Sequence, residues 1–368
     1  METNAQPAYR TEPGIREDEL DALRARVIDI MAVEDQRMED GRAITFTGRL
    51  RVEAEEAFSR LKAHFVELGY VPLLRENDSG ERQIIVAIRG KLQATLAQRP
   101  WVNLGLLAAT IATTVFAGGQ YASLLAGDDS LSIESILAHG IPFAATLLLI
   151  LGVHELGHYI QARRHRLPVT LPFFIPVPFG LGTFGAFIQL RGPVENRRAL
   201  FDVGVGGPIA GLVVAIPLFV TGLVMSVVTN SPAPPTRSML MELLIAIFLP
   251  DAANNGILLN PVLLAARFGL IITAINLLPI GQLDGSHIAY AALGRRWAHW
   301  IGYATIAIMV VLGIVSSPTW FVWIGFALLS GMSHPAPMND ITPLDLRRNV
   351  AFLATAVLFL SLFSATPF

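Results

Sequence analysis

Apolar and polar positions interleave over the first hundred residues, and beyond them the apolar positions run almost without a break. Glu17 to Glu34 places Leu20, Leu23, Val27, Ile30 and Met31 on one helical stripe, which predicts a helix. Ala43 to Val52 alternates as a half-buried strand does. Glu53 to Leu68 returns to helical spacing through Ala57, Leu61, Phe65 and Leu68, and Gly69 stands where a C-terminal cap belongs. Two further strands follow, Tyr70 to Arg75 and Gln83 to Ile88, joined by a turn at Asn77 to Gly80. The pattern predicts a small α+β domain over residues 17–95, in the order helix-strand-helix-strand-strand. Residues 1–16, with Pro7, Pro13 and Gly14 and no apolar period, read as a disordered lead-in.

From Trp101 the pattern changes. An apolar layer needs about 20 residues of helix to cross it. Trp101 to Ala126, Ile141 to Gln161, Phe201 to Val228 and Pro261 to Leu278 each supply such a run, or nearly so. His299 to Val315, Thr319 to Met332 and Asn349 to Phe363 complete six to seven spans, and Met239 to Leu249 reads as an interfacial or half-inserted helix. Leu171 to Leu190 is apolar but broken by Pro172, Pro176 and Pro178 and by Gly180, Gly182 and Gly185. Irregular backbone survives at membrane depth only beside protein or a water-filled cavity, so this stretch reads as a re-entrant loop or hairpin. Gly185 to Leu190 would offer an edge to an extended peptide. The fold class expected is a multi-span α-helical membrane protein preceded by the α+β domain.

Composition agrees. The chain is 53% hydrophobic and 15% charged, with a mean hydropathy of +0.53, whereas soluble domains carry about a quarter charged residues. A net charge of −2 with no basic stripe argues against a nucleic-acid partner. With no cysteine, thiolate ligands and disulfides are excluded, and any metal site must use histidine and carboxylate. Arg89, Lys91 and Arg99 precede the first span, Arg163 to Arg166 follow the second, and the loop between holds Asp128, Asp129 and Glu134 with no Lys or Arg. By the positive-inside rule the basic flanks and the α+β domain are cytoplasmic. The start of the chain lacks the features of a signal peptide.

The chemistry sits at the end of the second span, in His154-Glu155-Leu156-Gly157-His158. Two histidines at i and i+4 stack on one helix face, and with the glutamate beside the first they form a zinc signature: two imidazole ligands and a carboxylate able to act as general base. Ionisable groups are costly in hydrocarbon, so the cluster marks a functional site. A catalytic zinc takes three protein ligands. Asp284, at the cytoplasmic end of the fourth span in Leu283-Asp284-Gly285, lies on the same side of the membrane by charge counting and is the candidate third. His287, His299 and His334 are alternatives, each standing alone. In Gly204 to Gly211, the Gly207 and Gly211 pair is spaced for close helix packing rather than nucleotide binding.

The pair of motifs, His154-Glu155-Leu156-Gly157-His158 and Asn276-Leu277-Leu278-Pro279 with Leu283-Asp284-Gly285, resembles the site-2 proteases over roughly residues 100–300. The resemblance implies an intramembrane zinc metalloprotease with one zinc ion per chain. It implies His154, His158 and Asp284 as metal ligands, Glu155 as catalytic base, and Asn276 as a residue that holds substrate or the oxyanion. Phe46 to Leu50 and Phe65 to Leu74 look like the branch containing the plant plastid EGY proteases and their prokaryotic relatives. Arg164 to Phe201 is too short to hold a PDZ domain, and no CBS pair follows the last span, which leaves the N-terminal domain as the candidate for substrate gating or for binding a regulatory partner. The partners implied are a transmembrane protein substrate and the lipid bilayer. Nothing at the start resembles a plastid transit peptide, which points to a bacterial or archaeal cell membrane. Two other readings use the same ligands: a metal transporter or sensor, which has no need of Glu155, and a non-catalytic protease-like scaffold.

Overall fold

In a computed structural model, residues 17–39, 43–77, 80–90, 100–126, 132–232, 238–252, 255–331 and 336–364 are described. The lead-in and His334 lie outside them.

The N-terminal elements are α1 (Glu17–Ile28), β1 (Met31–Glu39), β2 (Ala43–Leu50), α2 (Ala54–Glu67), β3 (Tyr70–Glu76) and β4 (Gln83–Arg89). The strands form one antiparallel sheet in the order β1-β2-β4-β3. β1 corrects the expected helix over Glu17 to Glu34: Ile30 and Met31 are buried, but as the turn and the start of a strand. The sequence hides β1 because an edge strand needs little apolar alternation, and Glu34 to Arg37 are polar throughout. A bulge between Val33 and Asp35 bends this edge. α2 is amphipathic and buries Ala57, Phe58, Leu61 and Phe65 against the sheet residues Phe46, Leu73, Leu74 and Ile85. Met338, from far along the chain, is buried in the same cluster.

The remainder is mainly helical: α3 (Pro100–Ala126), α4 (Ile133–Arg164), α5 (Arg197–Val224), α6 (Met239–Phe248), α7 (Pro261–Asn276), α8 (Asp284–Val315), α9 (Thr319–Ser330) and α10 (Leu346–Leu362). Among the described residues α3, α4, α5 and α8 are long and apolar enough to cross a membrane. Their outward residues, Ile111, Leu149, Val213 and Ile314 among them, are exposed and apolar, as lipid-facing positions are. These helices mark a membrane protein.

Two boundaries differ from the sequence reading. α4 begins at Ile133, within the stretch expected as an acidic loop, because Ser132 caps it by accepting from the Ser135 N–H. α8 begins at Asp284 and is bent at Gly294, whose φ of 80° and ψ of 172° break the helix into a short first segment and a long second one. β5 (Phe173–Pro176) and β6 (Thr183–Phe187) form an antiparallel hairpin in the Pro/Gly-rich stretch. Thr113 Oγ1 on α3 donates to Gly182 O at 2.7 Å, and the Asn103 amide donates to Pro172 O at 2.9 Å. The freed hairpin carbonyls are thus satisfied by α3. β7 (Val227–Pro232) and β8 (Asn255–Leu258) pair as a separate antiparallel two-stranded sheet, with α6 between them in the chain.

Candidate metal centre

α4 and α5 cross at glycines. A Cβ on Gly157 would lie 2.3 Å from Gly206 O, so the two backbones touch and only glycine fits there. Beside this crossing α5 offers Gly207 to the imidazole of His158 and, about one turn further on, Gly211 to that of His154. The sequence reading took these two glycines as helix packing alone. What they pack against is the pair of histidine rings, and their missing side chains are the space those rings occupy.

Asp284, at the first position of α8, completes the cluster. His154 Nε2 lies 3.1 Å from Asp284 Oδ2, His158 Nε2 lies 3.2 Å from Asp284 Oδ1, and the two Nε2 atoms are 3.1 Å apart. His154 and His158 are almost fully buried, and the aspartate side chain is 15% exposed. The His158 Nδ1–H donates to Val203 O at 2.7 Å, which leaves the lone pair on Nε2 and aims it at the cluster. A lone pair facing a second imidazole nitrogen and a carboxylate is satisfied by a proton or by a metal cation between them. Tetrahedral zinc, with bonds of about 2.0–2.1 Å, spaces its donors about 3.3 Å apart. The three separations, the two to Asp284 made by different carboxylate oxygens, are close to that spacing. Among the described residues, His154, His158 and Asp284 are the group whose ligand atoms converge in this way.

Glu155 is buried beside them, with the Ile188 backbone N–H, one residue past β6, close to its carboxylate. The hairpin thus reaches the glutamate. This partner had no signal in the sequence, since it is a backbone group. Asn276 stands half-buried at the last position of α7, and no hydrogen bond among the described residues joins it to the three ligands. His287, on the next turn of α8 after Asp284, is outside the converging group, and His299 Nδ1 bonds Arg295 O at 2.7 Å.

A buried set of two imidazoles and one carboxylate, carried by apolar helices, defines a metal-binding membrane protein. Residues 142–317 match peptidase family M50, and the chain's similarity to the EGY proteins runs into the N-terminal domain. It is 30% identical over 367 residues to a protein of Arabidopsis thaliana named probable zinc metalloprotease EGY2, chloroplastic, covering 95% of this chain and 65% of that one. The rice (Oryza sativa subsp. japonica) protein named probable zinc metalloprotease EGY1, chloroplastic, is 29% identical over 232 residues, 59% of this chain and 39% of its own. The Arabidopsis protein named probable zinc metallopeptidase EGY3, chloroplastic, is 23% identical over 363 residues, 90% of this chain and 62% of its own. The chain thus spans less than two thirds of the length of these relatives. No solved structure matches it.

Proposed function

We propose that the chain is an intramembrane zinc metalloprotease that hydrolyses peptide bonds within or near transmembrane segments of membrane proteins. The observation that carries this reading is the convergence of His154, His158 and Asp284 with Glu155 beside them, inside a bundle of apolar helices. His154, His158 and Asp284 would hold one zinc ion per chain. Bound there, zinc supplies Lewis acidity, which makes water a nucleophile at neutral pH and polarises the scissile carbonyl.

The residues do the rest. Glu155, beside the Ile188 N–H, takes a proton from the attacking water and returns it to the leaving amine. Val203 O and the face of α5 fix the His158 ring, so no reorganisation is needed during the reaction. Asn276 is assigned to the substrate or the oxyanion on the motif it belongs to. A helical substrate must unwind before attack, and the β5–β6 hairpin, next to Glu155, is placed to pair with the opened strand.

In this reading residues 17–95 are a cytoplasmic domain and residues 100–368 the membrane part, with six to seven spans and the hairpin re-entrant. The basic flanks of α3 and α4 support that orientation in a cell membrane. The test is cleavage of a single-span membrane protein in liposomes by the parent, by Glu155→Gln, and by the parent after chelation. Cleavage by the parent alone supports the reading. Equal cleavage in all three, or none by zinc-loaded parent across a panel of single-span substrates, overturns it.

A further inference from the structure

The strap of residues 336–342, between α9 and α10, joins three parts of the molecule at the base of the metal centre. Its Met338 N–H donates to Val194 O at 2.8 Å and its Asn339 N–H to Glu195 O at 2.9 Å, just before α5. On its other side the Leu74 N–H of β3 donates to Met338 O at 2.7 Å, and the Asp340 N–H donates to Leu74 O at 2.9 Å. The strap therefore covers the β3 edge of the N-terminal sheet, and Met338 is buried in that domain's core. At the end of this pairing the Tyr290 hydroxyl donates to Asp340 Oδ2 at 2.8 Å.

Tyr290 belongs to the short first segment of α8, the one that starts with Asp284 and ends at the Gly294 break. Tyr290 lies six positions after Asp284, about 9 Å along the helix. A helix broken there leaves its last carbonyls without intrahelical partners. Arg197, at the start of α5, supplies them: Nε donates to Ala291 O at 2.8 Å and Nη2 to Ala292 O at 3.1 Å. At the other end a Cβ on Gly285 would lie 2.0 Å from Leu277 O, so the segment is seated tightly on the turn before it. The segment that carries the third ligand is thus clamped at both ends, and one clamp is built from the strap and α5.

We propose that Arg197 and Asp340 are positioning residues for Asp284, and that the N-terminal sheet, by holding the strap, is a working part of the metal centre rather than an appended module. The inference rests on the zinc-protease reading of the site. Asp340 is suited to the role because it is a half-buried carboxylate whose Oδ1 has no partner among the described residues, so the Tyr290 hydroxyl is its principal donor. Burial pushes its carboxyl up from the usual aspartate range, while Tyr290, Arg197, Arg75 and Arg295 draw it down. Loss of the hydroxyl leaves the carboxylate wanting a partner, and the segment shifts to find one.

The test reads zinc affinity and the visible absorption of the cobalt-substituted full-length protein, with cleavage measured in parallel. Arg197→Met, Tyr290→Phe and Asp340→Ala are each expected to weaken zinc binding about tenfold, the low end of what loss of an outer partner costs a metal site, and to shift the cobalt bands. Asp340→Asn, whose amide oxygen still accepts from Tyr290, is expected to restore most of the affinity. Met338→Asp, which drives the strap off the sheet, is expected to act like Tyr290→Phe. Lys62→Ala removes an exposed 2.7 Å side-chain pair with Glu195 at the same interface, keeps the Glu195 carbonyl bonded to the strap, and leaves affinity unchanged. Tyr290→Phe removes one oxygen and keeps the fold, so parent affinity and parent cobalt bands in that variant overturn the proposal. A lowered Tm with unaltered zinc affinity across the set also overturns it. Zinc weakened by Tyr290→Phe but untouched by Met338→Asp removes the N-terminal sheet from the account. A parent that binds no zinc refutes the protease reading instead, a different and recognisable result.

Discussion

Substituting alanine for Gly207 tests how the histidine cradle is built. A Cβ there would lie 2.1 Å from His158 Nε2, 2.4 Å from Cδ2 and 2.5 Å from Cε1. Ordinary contact begins at 3.4 Å, so the coordinating edge of the ring must retreat by about 1.3 Å. The backbone of α5 cannot yield instead, because Gly206 O is already pressed against Gly157 across the crossing. The ring cannot turn freely either, since its Nδ1–H is committed to Val203 O. A ligand displaced by more than half of a zinc–nitrogen bond of about 2.0 Å no longer coordinates. Gly207→Ala is therefore expected to lower zinc affinity at least a hundredfold and to abolish cleavage, measured by competition with a chromogenic chelator and by the liposome assay. Gly105→Ala on α3, where a Cβ meets nothing within 4 Å, is the matched control and should be neutral or slightly stabilising. Stoichiometric zinc and parent cleavage in Gly207→Ala would refute the reasoning.

Three further outcomes follow from the same geometry. Asp284→Asn keeps shape but loses the charge, and should weaken zinc binding by orders of magnitude with the secondary structure unchanged by circular dichroism. Thr113→Val removes the 2.7 Å bond to Gly182 O that ties the hairpin to α3; it should cost about 1 kcal/mol and reduce cleavage more than zinc affinity, since Ile188 and Glu155 follow the hairpin. Asn260→Ala removes the cap of α7, which accepts from the Leu263 N–H at 2.9 Å and donates to Gly222 O at 2.7 Å; it should cost about 2 kcal/mol, read as a fall of several degrees in Tm.

The first part of the candidate site was legible because its chemistry is local: His154, Glu155 and His158 lie within one helical turn and a little more, and the i, i+4 spacing alone places both rings on a face. Asp284 was legible from the residues as a polar group near the right membrane surface and as a ligand through the motif resemblance, since the contact that matters spans 130 positions in the chain. The second helix of the domain and its last three strands followed from periodicity, with ends within a residue or two. β1 did not, because an exposed edge satisfies half of its backbone in water and leaves no apolar alternation to read. Gly207 and Gly211 carried a visible signal, a small-residue spacing, whose meaning depends on what faces it. The contacts made by Val203 O, the Ile188 N–H and the strap at Met338 to Asp340 are backbone contacts between distant segments, and residue type does not encode them. Arg197 had no signal in the sequence beyond its charge, yet its guanidinium caps the helix segment that bears Asp284.

The central claim, that three side chains hold one zinc and a fourth uses it, is tested most directly by metal analysis and cleavage on the same preparations of parent, Glu155→Gln and His158→Ala. The expected result is one zinc per chain in the parent and in Glu155→Gln, little zinc in His158→Ala, and cleavage by the parent alone. A parent that cleaves without zinc, or a Glu155→Gln variant that cleaves at the parent rate, would contradict it.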